Sequence, residues 1–363
     1  MGFEDNAIIV KRSVQSIRES QESNGAIVAS PDFAQYHFCW LRDGSFCSYA
    51  LDVVGEHEAS ARYHSWVNDA VAGIADVIDD VIARHERGER LDPTRMPPAR
   101  FALDGSTVID DWPNFQVDGY GTWLWSLGQH LELSGVTVLP EDLIDSVTRV
   151  ARYLTSFALS PCYDVWEESG SDVHTSTLAC VYGGLKAARL LLDDEDCERT
   201  AEVVRARLVN DATHAGYFVK SSANDDVDGS LLWLCEPFGV VGPTESHFVK
   251  TVELLEDRLN LGGGIRRYST DVYFGGGTWP VLTASLGWYY VALGNLDQAI
   301  QCRDWIVAQF SGGGLLGEQF GGERRDPEHY REWVVRWGVP AKNLTWSHAM
   351  YVILSRTIEN ATV

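Results

Sequence analysis

Two short segments hold carboxylates in surroundings suited to proton transfer. In Asp164-Val165-Trp166-Glu167-Glu168-Ser169-Gly170 two adjacent glutamates follow a tryptophan, so mutual repulsion and apolar packing would raise one pKa toward that of a useful general acid. In Gly314-Leu315-Leu316-Gly317-Glu318-Gln319-Phe320 a lone carboxylate and an amide sit between glycines and apolar residues, a setting that suits a pocket wall. One acid to protonate a leaving oxygen and a second carboxylate to activate water, or to attack carbon, is the pair that cleavage of a glycosidic bond requires. Each segment also has a plainer reading. Glu167-Glu168 could be a solvated pair at a helix start, where the dipole favours acids, and Glu318 could cap the segment after it.

Other groups around these carboxylates suit a sugar. Arg42-Asp43, just after Trp40, could fork onto hydroxyls, Asp accepting and Arg donating, or could form a local ion pair at a helix N-terminus. Trp112 and Asp118 could stack on and hydrogen-bond the same ring, although a lone Trp is more often core. The chain carries 13 Trp, each offering a flat face to the C–H side of a pyranose. His174 and His348 lack metal-ligand spacing with carboxylate or Cys and read as structural hydrogen-bonding groups. No P-loop, dinucleotide fingerprint, Gly-x-Ser-x-Gly elbow or His-Glu-x-x-His motif occurs. The triplets Gly262-Gly263-Gly264 and Gly275-Gly276-Gly277 read as turns, and neither metal nor organic cofactor is expected.

These groups need a scaffold, and the apolar spacing makes it helical. Apolar residues recur at helical intervals through 7–20, 44–54, 59–84, 120–133, 143–157 and 175–192, then 195–209, 247–259, 280–293, 296–309 and 345–358. The chemically interesting residues fall in the connections, the usual place for groups lining a pocket on a rigid frame. About twelve helices with aromatic, glycine-rich connections fit six antiparallel pairs arranged as a ring, an all-α fold in one domain spanning residues 1–363.

Composition narrows the partners. With 52 Asp and Glu against 29 Lys and Arg, the net charge of −23 repels a phosphate backbone and an anionic membrane surface. Nucleic acid and membrane are therefore not expected partners, and a neutral or cationic small molecule is favoured. The first twenty residues have no apolar run of signal-peptide length, and no stretch is long enough to span a bilayer. Seven cysteines, odd in number and without a Cys-x-x-Cys pair, read as reduced core residues of a cytoplasmic protein. Oligomeric state is not fixed by the sequence.

Taken in order, the segments between Tyr36 and His348 resemble glycoside hydrolase family 15, the glucoamylase and glucodextranase family. Tyr36-His37-Phe38-Cys39-Trp40-Leu41-Arg42-Asp43 resembles a segment whose Arg and Asp grip the terminal glucose and whose Tyr sits beside the catalytic base. Trp112 to Gly119 is similar to a segment lining the same subsite. Asp164 to Glu168 resembles the general-acid segment, which makes Glu167 the expected proton donor and puts Glu168 against the neighbouring sugar. Arg267-Tyr268, Asp271-Val272-Tyr273-Phe274 and Trp279 look like a substrate-binding stretch led by Arg267. Gly317-Glu318-Gln319 is similar to the base segment, and Leu344-Thr345-Trp346-Ser347 to the closing motif, with Trp346 at the sugar. Phe274 stands where the family often has a second Tyr, so a hydroxyl steadying Tyr36 is expected to be missing. The β-sandwich and starch-binding modules of larger members are not in this chain, so bulk starch is not the expected substrate.

The resemblance implies an (α/α)6 barrel and an inverting, exo-acting enzyme that releases β-glucose from the non-reducing end of small α-glucosides, isomaltose-like α-1,6 linkages first. Glu167 would be the acid and Glu318 the base, with Tyr36 hydrogen-bonded to Glu318 or to the attacking water. Trp40, Arg42, Asp43, Trp112, Glu168, Arg267 and Trp346 would bind sugar. Two rivals use the same residues differently. A sugar epimerase or isomerase would need a pair of histidines in the pocket, and a non-catalytic glucoside-binding protein would tolerate loss of both carboxylates.

Overall fold

Every stretch with helical apolar spacing is helical in the computed structural model, which describes residues 3–311 and 314–362. The helices of the first half are α1 (Phe3–Glu19), α2 (Leu41–Asp52), α3 (His57–Gly73), α4 (Ala75–Glu86), α5 (Asp118–Ser134), α6 (Ile144–Phe157) and α7 (Thr175–Leu192). They continue as α8 (Glu195–Asp211), α9 (Ser246–Leu259), α10 (Pro280–Ala292), α11 (Leu296–Val307), α12 (Gly322–Arg325), α13 (Pro327–Trp337) and α14 (Thr345–Ala361). Strands are two or three residues long and merely clip loops together, as where Cys39–Trp40 pairs with Arg100–Phe101.

Alternate elements face inward. The 3-10 helix Gly229–Leu234 joins α2, α5, α7, α10 and α14 in a ring: each packs on the next in chain order, and α14 returns to α2. The outer layer is α1, α3, α6, α8, α9 and α11, giving an (α/α)6 barrel. Burial separates the layers: α2 buries eleven of its twelve residues, whereas α8 buries four of seventeen. An inner helix packed on all sides must be apolar or small all round, while an outer one needs only a stripe.

Two inner helices touch backbone to backbone. A Cβ on Gly184 of α7 would lie 2.6 Å from the Cα of Gly121 on α5, and one on Gly121 would lie 2.3 Å from the Cys180 carbonyl oxygen. Only glycine permits that approach.

Three details depart from the sequence expectation. The stretch 59–84 is two helices, broken at Gly73-Ile74, where a poor helix former ends α3 and Ile74 leaves helical geometry (φ −116°, ψ 16°). One of the six inner positions is a short 3-10 helix, capped by Asp228 onto the Ser230 N–H (2.9 Å) and followed by Pro237, which cannot continue a helix. The third is α13, a helix in the connection between Glu318 and α14, where no helical spacing is read. All seven cysteines are buried and unpaired, and among the described residues no helix is long and apolar enough to cross a membrane.

Candidate active site

The connections entering the inner elements surround a cavity of about 370 Å³. Its wall includes Tyr36, Trp40, Arg42, Asp43, Trp112, Glu167, Glu168, Arg267, Glu318 and Trp346, so every residue expected at the site except Asp118 lines this one space.

The first turn of α2 supplies the deepest charges. Trp40 ends the extended approach to the helix, which points Arg42 and Asp43 inward. Arg42 Nη1 donates to Asp118 Oδ2 at 2.7 Å, both groups being buried, and Asp118 is outside the cavity wall. Asp118 therefore holds Arg42 instead of touching a sugar, a correction to its expected role. Asp43 Oδ2 is 3.6 Å from Arg42 Nε and has no hydrogen-bond partner among the described residues. Burial pushes its carboxyl up to about 6 against the opposing pull of Arg42.

Glu167 sits on a strained turn. Its φ is +68° and that of Ser169 is +51°, a left-handed conformation that costs roughly 1–2 kcal/mol per non-glycine residue. Asp164 over-determines the turn by accepting from the N–H groups of Trp166 (2.9 Å) and Glu168 (2.8 Å). The loop is also anchored to the barrel: Lys220 Nζ lies 3.2 Å from Asp164 and 2.6 Å from Asp228, and Trp166 Nε1 donates to Asp228 at 3.0 Å. The Glu167 carboxylate accepts from Trp40 Nε1 at 2.7 Å. Burial raises its pKa, with Arg42 and the Trp40 donor opposing. Glu168 is already engaged, accepting from the Tyr268 hydroxyl at 2.6 Å and lying 3.3 Å from Arg267.

Glu318 is held from two sides. Its N–H donates to the Ala341 carbonyl at 3.0 Å, and Phe320 exchanges two backbone hydrogen bonds with Thr278, both 2.9 Å. Oε1 accepts from the Tyr36 hydroxyl at 2.8 Å, while Oε2 is buried with no partner among the described residues. Burial lifts this carboxyl above the ordinary carboxylate range, and the Tyr36 hydrogen bond and Arg267 pull it back. The hydroxyl expected to be missing because residue 274 is Phe comes from its neighbour: Tyr273 Oη lies 2.5 Å from Tyr36 Oη. Phe274 adopts φ +44° and is buried beside Phe33 and Ala341. Burial, followed by the Glu318 charge, raises the Tyr36 pKa well above the usual tyrosine value and keeps it a donor.

Arg267 is buried in a cage of Trp166, Tyr268, Tyr273 and Trp279, with ring centres 5.0 to 5.7 Å from its guanidinium carbon. It makes a two-pronged ion pair with Asp271. Several indole N–H groups on the wall have no partner among the described residues: Trp112, Trp279 and Trp346. Sequence reasoning missed Trp279 and Tyr273 as site residues, although both lie in the stretch led by Arg267. It also missed Trp333, Arg336 and Trp337 on α13, which bear no local signature. His174 and His348 are structural as expected, His174 on the Ser169 carbonyl (3.0 Å) and His348 on Asn343 (2.9 Å).

The buried Glu318, the half-buried Glu167, an Arg–Asp pair and seven tryptophans around one space can protonate and hydrate a glycosidic bond while stacking on a sugar. The model of glycosyl hydrolases family 15 matches residues 6–311. The chain belongs to glycosyl hydrolases family 15. As a member it is an exo-acting hydrolase of α-glucosides. It is 35% identical over 354 residues to the isomaltose glucohydrolase of Kribbella flavida, covering 96% of this chain and 91% of that one. A solved glycosidase variant in complex with glucose is 34% identical, with a TM-score of 0.94 and 99% of each chain covered. The glucoamylase of Saccharomycopsis fibuligera, at 15% identity, shares the fold with a TM-score of 0.72 over 98% of this chain and 96% of that one.

Proposed function

We propose that the protein releases β-glucose, with inversion, from the non-reducing end of short α-glucosides, isomaltose-like α-1,6 disaccharides being the preferred class. The observation that carries this reading is that Glu167 and Glu318, 151 positions apart in sequence, line one cavity with different hydrogen bonding. Glu167, which accepts from Trp40 Nε1, is the general acid for the glycosidic oxygen. Glu318 keeps Oε2 unspent for a water and is the base, with Tyr36 fixing its other oxygen. Inversion requires the two carboxyl groups to stand roughly 6.5 to 9.5 Å apart so that water attacks the face opposite the leaving group. Arg42, Asp43 and Arg267 orient the terminal glucose, and Trp40, Trp112 and Trp346 bound it. Orientation of this kind can supply several kcal/mol of barrier reduction.

The similarity to an isomaltose glucohydrolase supports the linkage. An inner ring that closes α14 onto α2 supports treating residues 1–363 as one catalytic domain. Seven unpaired cysteines fit a reducing, cytoplasmic setting. The isomerase alternative lacks its machinery, since no histidine is among the described residues of the wall. NMR of the anomer first released from a panel of α-linked glucobioses tests the reading. Early β-glucose with the α-1,6 dimer as best substrate is expected, and early α-glucose would overturn inversion.

A further inference from the structure

One part of the wall is not used by the reading above. α13 contributes Trp333, Arg336 and Trp337 to the cavity, and none of its residues is buried. Trp333 turns inward, 4.8 Å from the Tyr273 ring and 5.6 Å from that of Phe274. Trp337 ends the helix and is 38% exposed, whereas Glu318 is 1%, Arg267 4% and Arg42 6% exposed. That gradient gives the cavity a floor, where the charged groups are, and a mouth, where Trp337 is.

The Arg336 guanidinium carbon lies 4.9 Å from the Trp337 ring centre, and among the described residues it pairs with no carboxylate. In a chain of net charge −23 an unpaired arginine stacked on a half-exposed indole has donors to spare. Glu168, the other group expected beside the departing sugar, has both carboxylate oxygens engaged by Tyr268 and Arg267.

An exo-enzyme with a blind pocket puts the terminal ring on the floor, so the leaving group extends from the acid toward the mouth. We infer that Trp337 and Arg336 form the leaving-group subsite. The indole face stacks on the C–H face of the second sugar, and the guanidinium donates to its hydroxyls. This rests on the hydrolase reading above and adds to it where the second sugar binds and which residues select it. Stacking tolerates several ring orientations, so the contact sets affinity for a second sugar and contributes little to bond cleavage.

A pair of substrates separates this role from a structural one. The α-linked glucobiose that the unmodified protein cleaves fastest uses a leaving-group subsite. α-Glucosyl fluoride, whose leaving group is fluoride, does not. Trp337→Ala should lower kcat/KM for the glucobiose about five- to tenfold, mainly through KM, and leave glucosyl fluoride within about twofold. Arg336→Gln should give a smaller loss with the same selectivity, and Trp337→Phe should recover most of the activity. Equal losses on both substrates, or no loss on the glucobiose, would overturn the subsite. Failure of the unmodified protein to cleave either substrate would instead bring down the hydrolase reading, and the subsite with it.

Discussion

Asp43 and Asp52 lie near opposite ends of α2, and both are buried, at 8% and 2% exposure. Asp52 is saturated. It accepts from His57 and His130, each at 2.9 Å, and from Ser60 at 2.6 Å. Burial would raise its pKa, but the hydrogen bonds from His130, Ser60 and His57 outweigh burial and lower it. Asp43, at the end of the helix where the dipole favours an anion, has one loose contact with Arg42, and its Oδ2 has no partner among the described residues. Its carboxyl rises to about 6. Burial is common to both residues, and hydrogen-bonding capacity left over is what distinguishes them. Asp52 ties α2 to α3 and α5, whereas Asp43 is ready for a ligand.

The largest effects should come from the two carboxylates assigned to proton transfer. Glu167→Gln and Glu318→Gln should each lower kcat by about 10²–10⁴-fold with little change in melting temperature. Initial rates of glucose release measure this, and a variant keeping more than about a tenth of the parent rate would remove that glutamate from the mechanism.

The two aspartates themselves should respond in opposite ways. Asp43→Asn removes a charge-assisted contact to sugar, for a loss of roughly 10–100-fold in kcat/KM, while relieving a buried charge and raising the melting temperature. Asp52→Asn should cost about 2–3 kcal/mol of stability and leave kcat near the parent value. Parallel calorimetry and kinetics would break the comparison if both variants moved the same way.

Acid titration sharpens the contrast. Asp43 binds its proton more tightly folded than unfolded, so its contribution to stability falls as pH rises from about 4 to about 6. For Asp52, whose folded pKa is depressed, the contribution is full above about pH 4 and is lost as pH falls through the folded value. The gap in melting temperature between the parent and Asp43→Asn should therefore widen across that first window. A gap that does not change with pH would contradict the assignment.

A smaller change is expected at the base. Tyr36 pulls the raised Glu318 pKa down, so Tyr36→Phe should move the acidic limb of the kcat/KM profile to higher pH as well as lowering the rate. A limb that stays in place would mean that Glu318 does not set it.

The sequence made some of this visible and hid the rest for physical reasons. Helices packed on one or more faces leave a periodic trace, so α7 begins and ends where spacing expects, at Thr175 and Leu192. The Gly229–Leu234 segment was not legible as an inner wall, because six residues are too few to show a period. The helix α13 was hidden because none of its residues is buried. A glutamate pair behind a tryptophan marked Glu167, and a lone carboxylate between glycines and apolar residues marked Glu318. Partnerships across the chain left no local mark: Asp118 belongs to Arg42, and the Tyr273 hydroxyl does the work expected of residue 274.

The glycine contact between α5 and α7 acts as a gauge block of zero thickness. Gly121 lies one turn beyond Asp118, which fixes Arg42, and α7 begins just after the loop that carries Glu167. A single methyl at either glycine would wedge the two helices apart and change the distance between the group that grips the glucose and the group that gives up the proton. Such a variant could keep every side chain that touches substrate and still misalign them, so the bore of the barrel is machined by residues that never meet a sugar.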